Sequence, residues 1–122
     1  MANLNTSLAT IMAIPGAVGV AVVDLESGMS LAQSGGGNLN LDVAAAGNTE
    51  VVRAKLRTMK ELGLADEIDD ILITLGTQYH IIRPLTGKGN AGLFFYVALD
   101  KTQSNLAMAR HKVSDVAKNV QV

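Results

Sequence analysis

Cysteine is absent from the 122 residues, so neither a disulfide framework nor thiolate chemistry is open to this chain. Tryptophan is absent as well and aromatics make up only 3%, so the core has to be assembled from Val, Leu, Ile, Ala and Met. Neither sign of charge predominates: 10 Lys and Arg stand against 11 Asp and Glu, a formal net charge of −1. That balance lacks the basic excess that nucleic acid or an anionic membrane selects. No apolar run approaches the roughly 20 residues needed to cross a bilayer, and the best candidate, GAVGVAVVDL, is half that length. The opening MANLNTSLATIM lacks the basic region and continuous apolar stretch of a signal peptide. A cytoplasmic protein is expected, with no nucleic-acid partner and no membrane insertion.

Apolar residues reach 48% and charged residues 17%, enough for a packed core. Residues 1–122 read as a single domain, since no linker, repeat or low-complexity segment interrupts them. Leu4, Leu8, Ile11 and Met12 mark a short amphipathic helix over Asn3 to Ile14, ended by Pro15-Gly16. GAVGVAVVDL is a strand apolar on both faces; Glu26-Ser27-Gly28 turns it into the more polar strand MSLAQS. A long helix runs from Asn40 to about Leu62, closed by Gly63. Three strands follow, Ile68 to Leu75, QYHIIRPL and GLFFYVALD. Asp100 or Thr102 is expected to cap a last helix carrying Leu106, Ala109, Val113, Val116 and Val120 on one face.

The order is therefore α-β-β-α-β-β-β-α, an α/β chain with a five-stranded, mainly antiparallel sheet. The first and fifth strands are the most apolar and belong at its centre, covered by helices on both sides in a three-layer sandwich. The polar second strand suits one edge. The third, DILITL, falls at the other edge although it is apolar, and a bare apolar edge is a pairing hazard unless something occupies it.

The long helix carries two apolar stripes. Leu41, Ala45, Val52, Leu56 and Met59 form one, suited to lying on the sheet. Ala44, Gly47, Val51, Ala54, Thr58 and Leu62 form another, built of small residues that let a second helix axis approach to about 8 Å. That neighbour is either another helix of the same chain or the same helix of a second copy, antiparallel about a two-fold axis. The apolar edge strand, with Ile71 and Ile73, separately asks for a second copy and would extend the sheet across a homodimer. Asn48 and Lys55 lie between the stripes, while Asp42, Thr49, Glu50, Arg53, Arg57, Lys60 and Glu61 take the solvent side.

Catalytic patterns are poorly represented. Gly87-Lys88-Gly89-Asn90-Ala91-Gly92 fits G-x-G-x-x-G but leads into a strand, whereas a dinucleotide site needs a helix N-terminus there. It reads as a hairpin loop. His111 falls on the solvent side of the last helix; His80 reads as a structural, hydrogen-bonded strand residue, its neighbour Tyr79 pointing to the opposite face. Asp66, Glu67, Asp69 and Asp70 lack a calcium-loop pattern and read as a solvated loop. No nucleophile elbow and no metal-ligand spacing is present, so no catalytic residue, metal or cofactor is assigned. What remains is a basic stripe, Arg53, Arg57 and Lys60, that doubles in width if two long helices lie side by side.

IPGAVGVAVVDLESGMSL, NTEVVRAKLRTMKELGL, DDILITLGTQYHIIRPL and LFFYVALDKTQSNLAMARHKV resemble, in order and character, the roadblock family of dynein-associated light chains and its bacterial relatives. The resemblance covers almost the whole chain and lies in the succession of apolar segments and glycines. It implies a dimer formed through the long helix and third strand, with one continuous sheet. It also implies a non-catalytic scaffold or regulator of a small Ras-like GTPase that docks on the paired long helices. Arg53, Arg57 and Lys60 then become docking candidates, with Asn48 near the seam. Two other expectations stand beside it: a tethering subunit that leaves GTP hydrolysis unchanged, and a profilin-like or sensor-like small-ligand domain. The last is weakened by the few polar groups among Val18, Val20, Val22, Phe94 and Tyr96, taken as one inward face.

Overall fold

The computed structural model describes residues 3–86 and 89–121. Its elements are α1 (Leu4–Met12), β1 (Ala17–Asp24), β2 (Ser30–Gly35), α2 (Leu41–Glu61), β3 (Ile71–Thr74), β4 (Gln78–Pro84), β5 (Leu93–Asp100) and α3 (Leu106–Asn119). This is the expected order.

Each helix begins on an asparagine whose side chain accepts from backbone amides of the first turn, satisfying donors that have no partner within the helix. Asn3 accepts from Thr6 N at 2.8 Å, Asn40 from Asp42 N at 3.0 Å and Val43 N at 3.1 Å, and Asn105 from Met108 N at 3.1 Å. The cap of α3 is thus Asn105, not Asp100 or Thr102. Asp100 is used earlier: its Oδ1 accepts from the Thr102 amide and hydroxyl in a separate turn, and the helix starts where the apolar stripe starts. At the far end of α2, Gly63 adopts φ +69° and its amide bonds to Lys60 O, the left-handed stop read from the sequence.

The strands form one sheet in the order β2-β1-β5-β4-β3, every neighbour antiparallel. β1 and β5 are central, with Val20 opposite Val97 and Val22 opposite Phe95. β3 is shorter than expected, beginning at Ile71 instead of Ile68. Asp70 just before it is drawn toward α3, where Arg110 grips its carboxylate with two hydrogen bonds of 2.8 and 2.9 Å.

Helices cover both faces. Leu8 and Ile11 of α1 and Val113 of α3 pack on Val20, Val22 and Phe95 of one face; Ala45 and Val52 of α2 pack on Ala21, Val23, Phe94 and Tyr96 of the other. The set Val18, Val20, Val22, Phe94 and Tyr96 is therefore not one face. Antiparallel pairing sets Phe94 opposite Val23 and Tyr96 opposite Ala21, and a register shift between Ala17 and Gly19 turns Val18 to the α2 side.

Coverage is unequal. α1 packs on β1 and β2 and α3 on β4, whereas α2 alone serves the other face, packing on β2, β1 and β5. Strands β4 and β3 have no comparable cover there, and Ile71, Ile73 and His80 are only half-buried.

The entry to α2 depends on a close backbone approach. A Cβ on Gly19 would lie 2.8 Å from both the N and Cα of Gly36, which has no flexible side chain to move. Gly19→Ala is expected to cost about 1–3 kcal/mol of stability through backbone displacement, measured as a lower midpoint of urea unfolding.

Candidate functional site

Helix α2 divides its residues between the sheet and the outside. Leu41, Ala45, Thr49, Val52 and Met59 are buried. Thr49, expected on the solvent side, is 1% exposed. Its hydroxyl donates to Ala45 O at 2.7 Å, so the polar group is satisfied inside the helix and the side chain fits beside Gly28 of the β1–β2 turn. Leu56, expected on the sheet, is 40% exposed at the margin instead.

The stripe of small residues looks away from its own sheet. Gly47, Val51, Ala54, Thr58 and Leu62 are exposed and Ala44 is half-buried. A Cβ at Gly47 would meet no atom within 4 Å. Thr58 donates its hydroxyl to Ala54 O at 2.9 Å, and half-buried Asn48 donates its amide to Ala44 O at 2.8 Å. Both polar groups are thereby tied back to the helix. Helices α1 and α3 occupy the other face of the sheet, so neither packs against this stripe. On the same face as α2 lie Ile71 and Ile73, packed at the margin of the core on the edge strand.

The three basic residues are not equivalent. Arg57 and Lys60 are exposed, with no ion pair among the described residues. Arg53 is half-buried: its guanidinium donates to Leu25 O at 2.8 Å and to Glu26 O, and it pairs with Glu50 at 2.9 Å. It staples α2 to the β1–β2 turn. That turn is also held by Asp24, whose carboxylate accepts from the Ser27 hydroxyl at 2.7 Å; this bond holds Asp24 below the usual carboxylate range. Nothing in the sequence pattern distinguishes Arg53 from Arg57, because the carbonyls that engage Arg53 lie 27 and 28 positions away.

On β4, His80 is hydrogen-bonded as expected. Its Nε2 lies 2.8 Å from Gln78 Oε1 and its Nδ1 3.2 Å from the Tyr96 hydroxyl, the rings meeting edge to face. The sequence pattern alone does not bring Tyr96 to this cluster; the β4–β5 register makes it a diagonal neighbour, the relation through which an aromatic reaches across strands. Burial pushes His80 below its ordinary value and the Tyr96 phenol above its own. Tyr79 points to the other face, toward the α1 and α3 core.

In the glycine loop, Gly87 and Lys88 lie outside the described residues. The remainder is tied to distant parts of the chain: Asn90 is buried and donates to Val120 O at 3.0 Å just past α3, and Gly92 O accepts from Leu25 N at 2.8 Å just past β1. The segment enters β5, so no helix N-terminus faces it. Of the acidic cluster, Asp66, Glu67 and Asp69 are exposed, while Asp70 is engaged by Arg110. His111 is exposed on α3. Among the described residues, no group of three or more His, Asp or Glu is placed to hold a metal ion.

No protein-family model matches the sequence, and no curated protein matches it at a significant level. Solved structures do match in fold. The Roadblock/LC7 domain from Streptomyces avermitilis superposes with a TM-score of 0.80 at 11% identity, over 96% of this chain and 93% of that one. MglB from Myxococcus xanthus gives 0.77 at 16% identity, over 93% and 90%. The gliding protein MglB from Thermus thermophilus gives 0.69 at 16% identity, over 92% and 86%. The chain has the roadblock fold, as its sequence resemblance implied.

Two measurements check these assignments. Arg53→Ala removes hydrogen bonds from a charged group, worth about 1.5–3 kcal/mol when buried; with 41% of the side chain exposed, a loss of about 1–2 kcal/mol is expected. Arg57→Ala should stay within about 0.5 kcal/mol in the same urea titration. For His80, the folded-state value lies below the unfolded 6.5, so the unfolded chain binds protons first. Stability is therefore retained above that pH and declines as pH falls through it. His80→Gln should flatten this part of the decline in unfolding midpoints measured between about pH 7.5 and 5.5.

Proposed function

We propose that this chain belongs to the roadblock family and acts as a non-catalytic, homodimeric regulator or scaffold of a small Ras-like GTPase. The observation that carries this reading is the half-covered face of the sheet. Five strands at about 4.8 Å spacing place the outer strand axes about 19 Å apart, and one helix with its side chains is about 10 Å across. Among the described residues, two helices line one face and only α2 the other. A second α2, brought alongside by a two-fold axis, supplies the missing cover.

In this arrangement Ala44, Gly47, Val51, Ala54 and Thr58 form the helix seam, and Ile71 and Ile73 form the strand seam. Their small side chains permit the close axis separation, and the pairing of β3 with its symmetry mate makes the sheet continuous. Asn48 sits at the rim of the seam. The polar backs of the two helices then form one platform, on which Arg57 and Lys60 of both copies are free to meet the acidic surface of a GTPase. Arg53 belongs to the same platform but acts by holding the β1–β2 turn against it; its engaged guanidinium disfavours it as an arginine finger. Roadblock-fold neighbours that include MglB proteins are consistent with this reading.

Sedimentation tests the dimer. Gly47→Leu has open space in the single chain and should fold normally by circular dichroism, yet shift the protein to monomer with dimer affinity reduced by on the order of 100-fold. A dimer of unchanged affinity removes the seam. The cognate GTPase tests the platform: Arg57→Glu with Lys60→Glu should weaken association at least tenfold, mainly through slower, salt-dependent binding. In single-turnover hydrolysis, a scaffold predicts little change for Arg57→Ala, whereas a finger predicts a loss of about 10³-fold or more.

A further inference from the structure

The face away from α2 carries a feature that self-association and GTPase docking do not use. α1 and α3 run side by side there, and between them lies an open trough of about 850 Å³. It exists because the facing side chains are short. Ala9 of α1 and Ala13 just past its end line the trough together with Ala107 and Ala109 of α3, Ile14 and Pro15. Leu8, Ile11 and Val113 of the same two helices pack into the core on the sheet side, and the trough is open on the other.

The chemistry of the walls is one-sided. α1 contains no charged residue. Met108, 70% exposed, lies on the rim as a flexible apolar side chain. Among the described residues, Lys112 and His111 are the titratable groups lining the trough, no carboxylate lines it, and Lys112 makes no ion pair. Thr6, Thr10 and Asn105 are the uncharged polar residues of its lining. The volume falls in the range of small-molecule sites, which combine mainly apolar walls with a few polar groups that orient the ligand. Mainly apolar walls with a lysine in the lining match a ligand of the same polarity pattern, an alkyl chain ending in an anion.

We propose that the trough between α1 and α3 binds a free aliphatic carboxylate, its chain along Ala9, Ala13 and Met108 and its head group at Lys112. The alkyl chain displaces water from the alanine walls, and Lys112 donates a charge-assisted hydrogen bond to the carboxylate. Because the α2 seam lies across the sheet, binding and self-association are separable.

Calorimetric titration of the full chain with octanoate, decanoate and dodecanoate, each below its micelle concentration, tests the site. Burial of the chain predicts 1:1 binding that tightens by up to about fourfold per added methylene. Dodecanol and dodecylamine should bind at least tenfold more weakly than dodecanoate. Lys112→Glu should reduce dodecanoate affinity at least tenfold while leaving dodecanol unchanged. Met108→Glu, which places a carboxylate on the rim, should weaken the whole series; both positions are exposed, so folding should be retained. Affinity that ignores chain length, dodecylamine binding as tight as dodecanoate, or indifference to Lys112→Glu overturns the assignment. Binding to anionic phospholipid vesicles without binding of the monomeric acids also overturns it, in favour of a membrane-facing groove. A Gly47→Leu monomer that binds dodecanoate normally supports the separation of the two faces; loss of binding there overturns that separation.

Discussion

The number of helices available to each face of the sheet governs this molecule. β1 and β5 are apolar on both sides because they lie in the middle, and a strand buried on both sides needs a layer above and a layer below. With three helices and two faces, the division is unequal. α1 and α3 share one face; α2 covers three strands of the other and leaves β4 and β3 to be closed by something else. Longer side chains at Ile71 or Ile73 would not substitute for a helix, because the uncovered strip extends over two strands.

That inequality separates two kinds of surface on α2. Toward the sheet, size and fit dominate, and even a threonine is admitted where its hydroxyl returns to its own helix. On the outer side, charge is distributed between anchoring and display. Arg53 is held by two carbonyls of the β1–β2 turn and fixes where the helix lies; Arg57 and Lys60, one turn and two turns further on, carry exposed charge on a helix already fixed. An anchor of this sort fixes the outer face of α2 at modest energetic cost, since the guanidinium is only half withdrawn from water.

Element order, strand order and both edge strands were legible in the sequence because each rests on a local pattern: alternation, helical stripes and glycine stops. The departures come from contacts distant along the chain. Thr49 is polar and sits at the border of two helix faces, and only the proximity of Gly28 shows that it is buried. Arg53 and Arg57 are the same residue one turn apart, distinguished by a turn at Leu25. β3 begins only at Ile71, directly after Asp70, whose partner Arg110 lies 40 positions away. Val18 changes face through one irregularity in register that a two-residue period cannot foresee. The α1–α3 trough was likewise hidden, because alanines on two separate helices announce a gap only when the helices are set side by side.

Gly47 condenses the case for a partner. Glycine within a helix costs about 1 kcal/mol relative to alanine, and every other alanine and valine around it shows that helix-compatible side chains were available. Where a glycine is needed inside this chain, the reason is visible: Gly19 has the backbone of Gly36 against it, and Gly35 takes φ +70° close to Val18. At Gly47 the conformation is helical and the surrounding space is empty. The chain alone gives no reason for the missing methyl group. A second backbone crossing at that point would give one, and it would do so in both copies at once, because a two-fold axis brings the same small residue to the seam from either side.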